Sequence, residues 1–199
     1  MPDLTALMNS ENPAIRISVL RALGKMGSVS DGQIKQISVM LSDPDSDVRA
    51  EAAWALGQIG RPASGEQSAI ASLLKDPKQK PRIRAAEAIG FFGTDAEPSI
   101  EALIEALNDE NDIVRNQAAA SLVKIGPSIA HYKQQVADYI KSAGADQVLN
   151  MYSLSSASEA LGVIGHNAAP QAGPVADLLT GEVSFVRSNA ISARRNMAP

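Results

Sequence analysis

Apolar and small side chains recur at helical intervals through most of the chain. Between Asp47 and Gly60 they fall at Val48, Ala52, Ala55, Leu56 and Ile59, the i, i+4, i+7, i+8 and i+11 positions of one helix face. Asp47 precedes this stripe as the expected N-cap, and Gly60 follows it where a left-handed turn is easiest. A shorter amphipathic stretch, Gln33 to Leu41, comes before it and ends at Ser42-Asp43-Pro44-Asp45. Proline cannot continue a helix and disfavours helix in the residue ahead of it. The pattern therefore predicts a helical hairpin, a first helix and a second.

The hairpin repeats. The closing glycine has counterparts at Gly27, Gly60, Gly93, Gly126 and Gly165, spaced by 33 residues except for a last interval of 39. Eleven positions before each glycine stand Arg16, Arg49, Arg82 and Arg115; the fifth unit has Leu154 there, and the arginine returns as Arg187. Six units fill the chain as one domain over 1–199: 1–28, 29–61, 62–94, 95–127, 128–166 and 167–199. The remaining first helices are expected over 66–74, 99–107, 132–142 and 171–179. A lone hairpin cannot bury both its faces, but a stack can, so the expected fold is all-α, a right-handed α-solenoid (an α-α superhelix) of about six hairpins. The fifth unit, with its insertion and lost arginine, is the irregular one.

The motif Asp-x-x-Val-Arg-x-x-Ala-Ala-x-Ala-Leu-Gly-x-Ile-Gly, near complete at Asp47–Gly60 and well matched at Arg82–Gly93 and Asn111–Gly126, resembles the HEAT repeat, specifically the HEAT-like repeat of phycobilisome-lyase type. The resemblance covers essentially the full chain. It implies an armadillo-type fold in which Arg16, Arg49, Arg82, Arg115 and Arg187 form a structural ladder with Asp43, Asp76 and Asp109 across the inter-helix turns. A guanidinium, with five donors in a fixed fork, suits both carboxylates and helix-end carbonyls. The resemblance also implies that the second helices line a concave groove.

Composition narrows the chemistry. Of 199 residues, 32 are alanine and seven aromatic, a balance that favours closely packed helices over sheets. The absence of cysteine excludes disulfides and thiolate sites. A net charge of −4 disfavours broad nucleic-acid binding. The N-terminus lacks the pattern of a signal peptide, and no apolar run is long enough for a membrane span. The expectation is a cytoplasmic monomer with no membrane association.

Phosphate loops, His-Glu-x-x-His and dinucleotide fingerprints are missing. The Gly-x-x-Gly at Gly24–Gly27 and Gly57–Gly60 reads as a repeat boundary, and His131 and His166 as solvated turn residues. No catalytic residue, metal site or cofactor is expected. The fourth unit is acidic through residues such as Glu101, Glu105 and Asp112, a pattern read as serving solubility, with a basic partner as the alternative. Arg194 and Arg195 in the last helix suit a terminal unit that faces water.

Opposite the apolar stripes lie positions expected to face the groove: Arg21 in the first unit, Ala50, Glu51 and Trp54 in the second, Arg84, Glu87 and Phe91 in the third, Lys124 in the fourth, and Ser155, Ser156, Ser188 and Ser192 in the last two. Arg21, Trp54, Arg84, Glu87, Phe91 and Lys124 are the candidate contact residues, with Trp54 as anchor because aromatic residues concentrate binding energy. The expected function is a non-enzymatic scaffold holding a protein or peptide. The family resemblance adds an alternative, a bilin lyase or bilin chaperone, and a third, less favoured reading as a HEAT-like nucleic-acid binder.

Overall fold

The computed structural model describes residues 4–198, and among them every regular element is helical. The chain forms two compact units, Met1–Ser99 and Ile100–Pro199. The first holds α1 (Pro13–Met26), α2 (Asp31–Val39), α3 (Ser46–Ile59), α4 (Gln67–Ser72) and α5 (Gln79–Phe91), preceded by a 3-10 helix at Leu4–Asn9. The second holds α6 (Ile100–Ala106), α7 (Asp112–Ile125), α8 (Lys133–Ala143), α9 (Met151–Ile164), α10 (Ala172–Asp177) and α11 (Ser184–Met197). Long second helices alternate with shorter first helices. In the first unit α1, α3 and α5 pack side by side, with α2 on α3 and α4 on α5; in the second, α7, α9 and α11 form the row, backed by α6, α8 and α10. Each unit is thus a stack of helical hairpins of the α-solenoid class.

Of the first helices, α4, α6 and α10 are shorter than their apolar pattern suggests, while α2 and α8 keep the expected length with shifted ends. Four of them run into 3-10 turns, at Met40–Ser42, Leu73–Lys75, Gly144–Asp146 and Leu178–Thr180. After the irregular link at 27–30, the segments that join one hairpin to the next are also 3-10 turns, at Arg61–Glu66, Gly93–Ser99, Gly126–Tyr132 and Gly165–Gln171. Tight i→i+3 bonds occupy carbonyls that a helix end otherwise leaves unsatisfied. The five repeat-closing glycines all have positive φ, between 54° and 74°, a backbone conformation that side-chain-bearing residues rarely adopt.

The N-cap of α3 is Asp45 rather than Asp47. Asp45 is extended, and its Oδ1 accepts from the backbone N–H groups of Asp47 and Val48 at 2.8 and 3.1 Å. Asp47 already lies in the first helical turn, where it pairs with Lys80. Asn12 and Asn111 cap α1 and α7 in the same way.

The core consists of stripe residues, among them Leu20, Leu23, Ile37, Leu56, Ile70 and Ile89 in the first unit and Leu103, Leu122, Ile125 and Ile129 in the second, all fully buried or nearly so. Full burial of such a side chain stabilises by about 1.5–3 kcal/mol. What brings the second helices together is a backbone-to-backbone contact. A Cβ placed on Gly57 would lie 2.7 Å from the Cα of Ala88; on Gly24, 3.0 Å from the Cα of Ala55; on Gly162, 3.0 Å from the Cα of Ala193. Gly24, Gly57 and Gly162 occupy one register of the repeat, and the three alanines another.

Gly57→Ala is therefore expected to destabilise the protein by about 1–3 kcal/mol, the cost typical of overpacking. Gly65→Ala, where an added Cβ meets nothing within 4 Å, should leave the melting temperature unchanged or slightly higher. Thermal unfolding of the two variants beside the parent checks this, and equal melting temperatures would refute the close contact.

Candidate functional site

The arginine column and the acidic column meet at the inter-helix turns. In the first unit, Arg49 on α3 donates from Nε and Nη2 to the two carboxylate oxygens of Asp76 at 2.7 and 3.0 Å, while its Nη1 reaches the carbonyls of Asp43 and Pro44. Arg16 on α1 repeats the arrangement one hairpin earlier, bonding the Asp43 carboxylate at 2.8 Å and the carbonyls of Ser10 and Glu11. Each arginine thus closes its own hairpin turn and ties it to the next. Asp43 and Asp76 accept in addition from the backbone N–H groups of Asp45 and Lys78. Arg82 donates to the carbonyl of Asp76 at 2.9 Å.

In the second unit, Arg115 reaches the carbonyls of Asp109 and Glu110, Arg187 reaches that of Gly181, and Asp109 accepts from the Asn111 N–H. The irregular hairpin uses other residues. Leu154, in the arginine register, is fully buried, and the turn carbonyls of Ala143 and Asp146 are taken by the side-chain amide of Asn150. Beside it the Tyr139 hydroxyl donates to Ser153 Oγ at 2.6 Å, and Ser153 donates to the Asn150 carbonyl. Burial pushes the Tyr139 hydroxyl above its ordinary pKa, against the opposing effects of Ser153 and Arg115, so it stays neutral.

Five of the six candidate contact residues fall on the second-helix row of the first unit. Trp54 on α3 is half-buried, and its ring lies over Gly24 of α1: a Cβ on that glycine would come 2.8 Å from Trp54 Cζ3. Phe91 on α5 is 41% exposed and leans on Gly57 of α3 in the same fashion. Arg21 on α1 forks onto Glu51 of α3, Nε to Oε1 at 3.0 Å and Nη2 to Oε2 at 3.2 Å, and this hydrogen-bonded partner raises its pKa. Arg84 and Glu87 pair along α5. Lys124 lies near the end of α7 in the second unit.

Three positions expected to face outward do not. Ala50 is fully buried, and Glu51 and Ser155 are 5% and 4% exposed. The reason is the glycine–alanine contact: helices this close cover side chains that a wider stack would leave in water. Glu51 tolerates burial because Arg21 neutralises it. His131 and His166 are exposed in 3-10 turns. Among the described residues no group of three His, Asp or Glu side chains is placed to hold a metal ion, and no helix is long and apolar enough to cross a membrane.

The sequence model for HEAT repeats matches this chain over residues 1–74, 35–124 and 66–148. The chain belongs to the HEAT-repeat family. No curated protein sequence matches it. Solved structures do resemble this HEAT-repeat chain. A designed armadillo repeat protein in complex with the peptide (KR)4 is 18% identical with a TM-score of 0.74, the match covering 99% of each chain. An engineered protein is 20% identical with a TM-score of 0.73, over 98% of this chain and 94% of the other. The karyopherin Kap121p is 16% identical with a TM-score of 0.73, over 96% of this chain and 22% of its own. At these identities the likeness is one of fold.

The ladder makes stability depend on pH. Burial alone would raise the pKa of Asp76, but the Arg49 hydrogen bonds, the Lys78 N–H and the charges of Arg49 and Arg82 outweigh it and lower the value. A depressed carboxyl contributes stability that is whole above its ordinary pKa of about 3.9 and is lost as pH falls through the lower folded value. Asp76→Asn is expected to cost about 3 kcal/mol at pH 7, as when one partner of a buried pair is removed. The variant should also lose less further stability than the parent between pH 5 and pH 2. Equal pH profiles by circular dichroism would refute the assignment.

Proposed function

We propose that this HEAT-repeat protein is a non-enzymatic interaction module that holds a protein or peptide segment in a groove lined by its second helices. The observation that carries the reading is the pair of aromatic side chains on the first unit. Trp54 and Phe91 rest on glycines that hold them in place, and both remain partly open to solvent. A ring held by its own scaffold loses little freedom on binding, and such anchors carry much of an interface's energy. Arg21, Arg84 and Glu87 flank them as charged groups for register and specificity, and Lys124 is proposed as a contact residue on the second unit. The designed armadillo protein solved with a (KR)4 peptide supports a peptide as the partner class for this fold.

The finer resemblance, to the phycobilisome-lyase type, competes with this reading: there Arg21 and Arg84 would hold bilin propionates. The pairing of Arg21 with Glu51 and of Arg84 with Glu87 weighs against it, because both guanidinium groups already have carboxylate partners. Titration with a bilin separates the two, since bilin binding alters the visible spectrum.

The test is to select peptides against the folded protein from a displayed random library and measure their affinities by calorimetry. Trp54→Ala is expected to weaken the peptides bound at this face about thirtyfold, the equivalent of about 2 kcal/mol. Arg84→Ala should weaken them less. Selected peptides that bind Trp54→Ala and Arg84→Ala as tightly as the parent, with the fold intact, would overturn the proposal.

A further inference from the structure

One column of the repeat changes character between the two units. The second residue of each second helix is Ala14, Asp47 and Lys80 in the first unit, then Ile113, Tyr152 and Phe185 in the second. In the first unit this column is alanine or charged, with Asp47 and Lys80 in an ion pair of 2.6 Å. In the second it is apolar and open to solvent. Ile113, Tyr152 and Phe185, together with Val148 and Leu149 of the inserted turn, are each between 49% and 63% exposed. The Tyr152 and Phe185 rings meet edge to face with centroids 6.0 Å apart, so the stripe is continuous between α9 and α11. Side chains at this register add nothing to the buried core, and a helical repeat needs no large apolar residue there.

Charge lies along the same edge. Asp146 and Glu182 line, with Val148, a depression of about 280 Å³ between the inserted turn and the α10–α11 turn. Asp112 stands exposed beside Ile113. Arg187 directs a guanidinium N–H to the Gly181 carbonyl at the same turn. The exposed carboxylates frame the apolar stripe, which fits a partner that brings apolar side chains with lysine or arginine between them.

Size and symmetry argue for a short segment. At about half exposure, five such side chains offer on the order of 400 Å² of apolar surface, against about 800 Å² per partner in a stable protein interface. A two-fold dimer through this edge would also bring together the same acidic rim, Asp146 and Glu182, from both copies. Alternate residues of an extended chain lie about 6.7 Å apart on one face, close to the spacing of the Tyr152 and Phe185 rings. We propose that the inter-helix edge of the second unit, centred on Tyr152 and Phe185, is a docking site for an extended peptide segment that alternates apolar and basic residues. It belongs to the second unit, Trp54 to the first, and the proposal does not rest on the reading of Trp54.

Fluorescence anisotropy on the full chain tests this with three labelled seven-residue peptides: Lys and Leu alternating, Glu and Leu alternating, and Lys and Ser alternating. The Lys/Leu peptide is expected to bind at least tenfold more tightly than either other peptide, and more weakly at high salt. Tyr152→Ser with Phe185→Ser should reduce its affinity at least tenfold, and Trp54→Ala should not change it. A second variant, Val148→Asn with Leu149→Asn, lies in the exposed turn and should weaken binding without touching a helix. Equal binding of the three peptides, or unchanged binding of the Lys/Leu peptide by both variants, would overturn the proposal. So would a parent dimer in sedimentation that the Tyr152 and Phe185 substitutions convert to monomer, since that would make a second copy the occupant.

Discussion

Where two helix backbones touch, the residue between them has no room for a side chain. Gly24 against Ala55, Gly57 against Ala88 and Gly162 against Ala193 are three instances of that constraint, and much else in each unit follows from it. The close approach carries neighbouring stripes of leucine and isoleucine into one continuous core. It seals Ala50 and Ser155, which a looser stack would expose, and it forces Glu51 into the interior, where only Arg21 makes it tolerable. It also leaves shallow seats over the glycines, on which Trp54 and Phe91 come to rest. The features that make this face suitable for binding are thus products of how the helices pack.

The arginine ladder solves a different problem. A hairpin turn ends one helix and begins another, so it gathers carbonyls that no helix satisfies. One guanidinium reaching back six residues takes up those carbonyls and, through an aspartate of the next hairpin, ties turn to turn. The irregular hairpin shows what the arrangement is for. With Leu154 in the arginine register, the Asn150 amide takes over the carbonyls and a Tyr139–Ser153 bond braces the turn. The need for donors at that turn persists even where the usual residue is lost.

Much of this was legible in the sequence because a repeat samples the same physics several times. The 33-residue spacing of Gly27, Gly60, Gly93 and Gly126 announced hairpins, and the positive φ at each shows why glycine recurs there. Periodicity is poorer at fine register. The apolar pattern points to Asp47 as the cap, and the extended backbone at Asp45, just after Pro44, moves the cap two residues earlier. The burial of Glu51 was hidden because it depends on the distance between helices, which no single helix encodes. Gly24 and Gly57 did carry a signal: each lies mid-helix, where glycine is costly unless a neighbour presses against it. The apolar column at Ile113, Tyr152 and Phe185 was also in plain view, three large apolar residues in a register occupied elsewhere by alanine and charge. The pattern alone does not mark it as surface, because a large apolar residue in a helix reads equally well as core until its exposure is known.

The most direct test of the packing claim is a nuclear Overhauser measurement on the labelled protein. Strong cross-peaks between the Gly57 α-protons and the Ala88 methyl, and between those of Gly24 and the Ala55 methyl, are the predicted result. Their absence in assigned spectra of the folded protein would mean that the helices stand apart, and the seats beneath Trp54 and Phe91 would vanish with that contact.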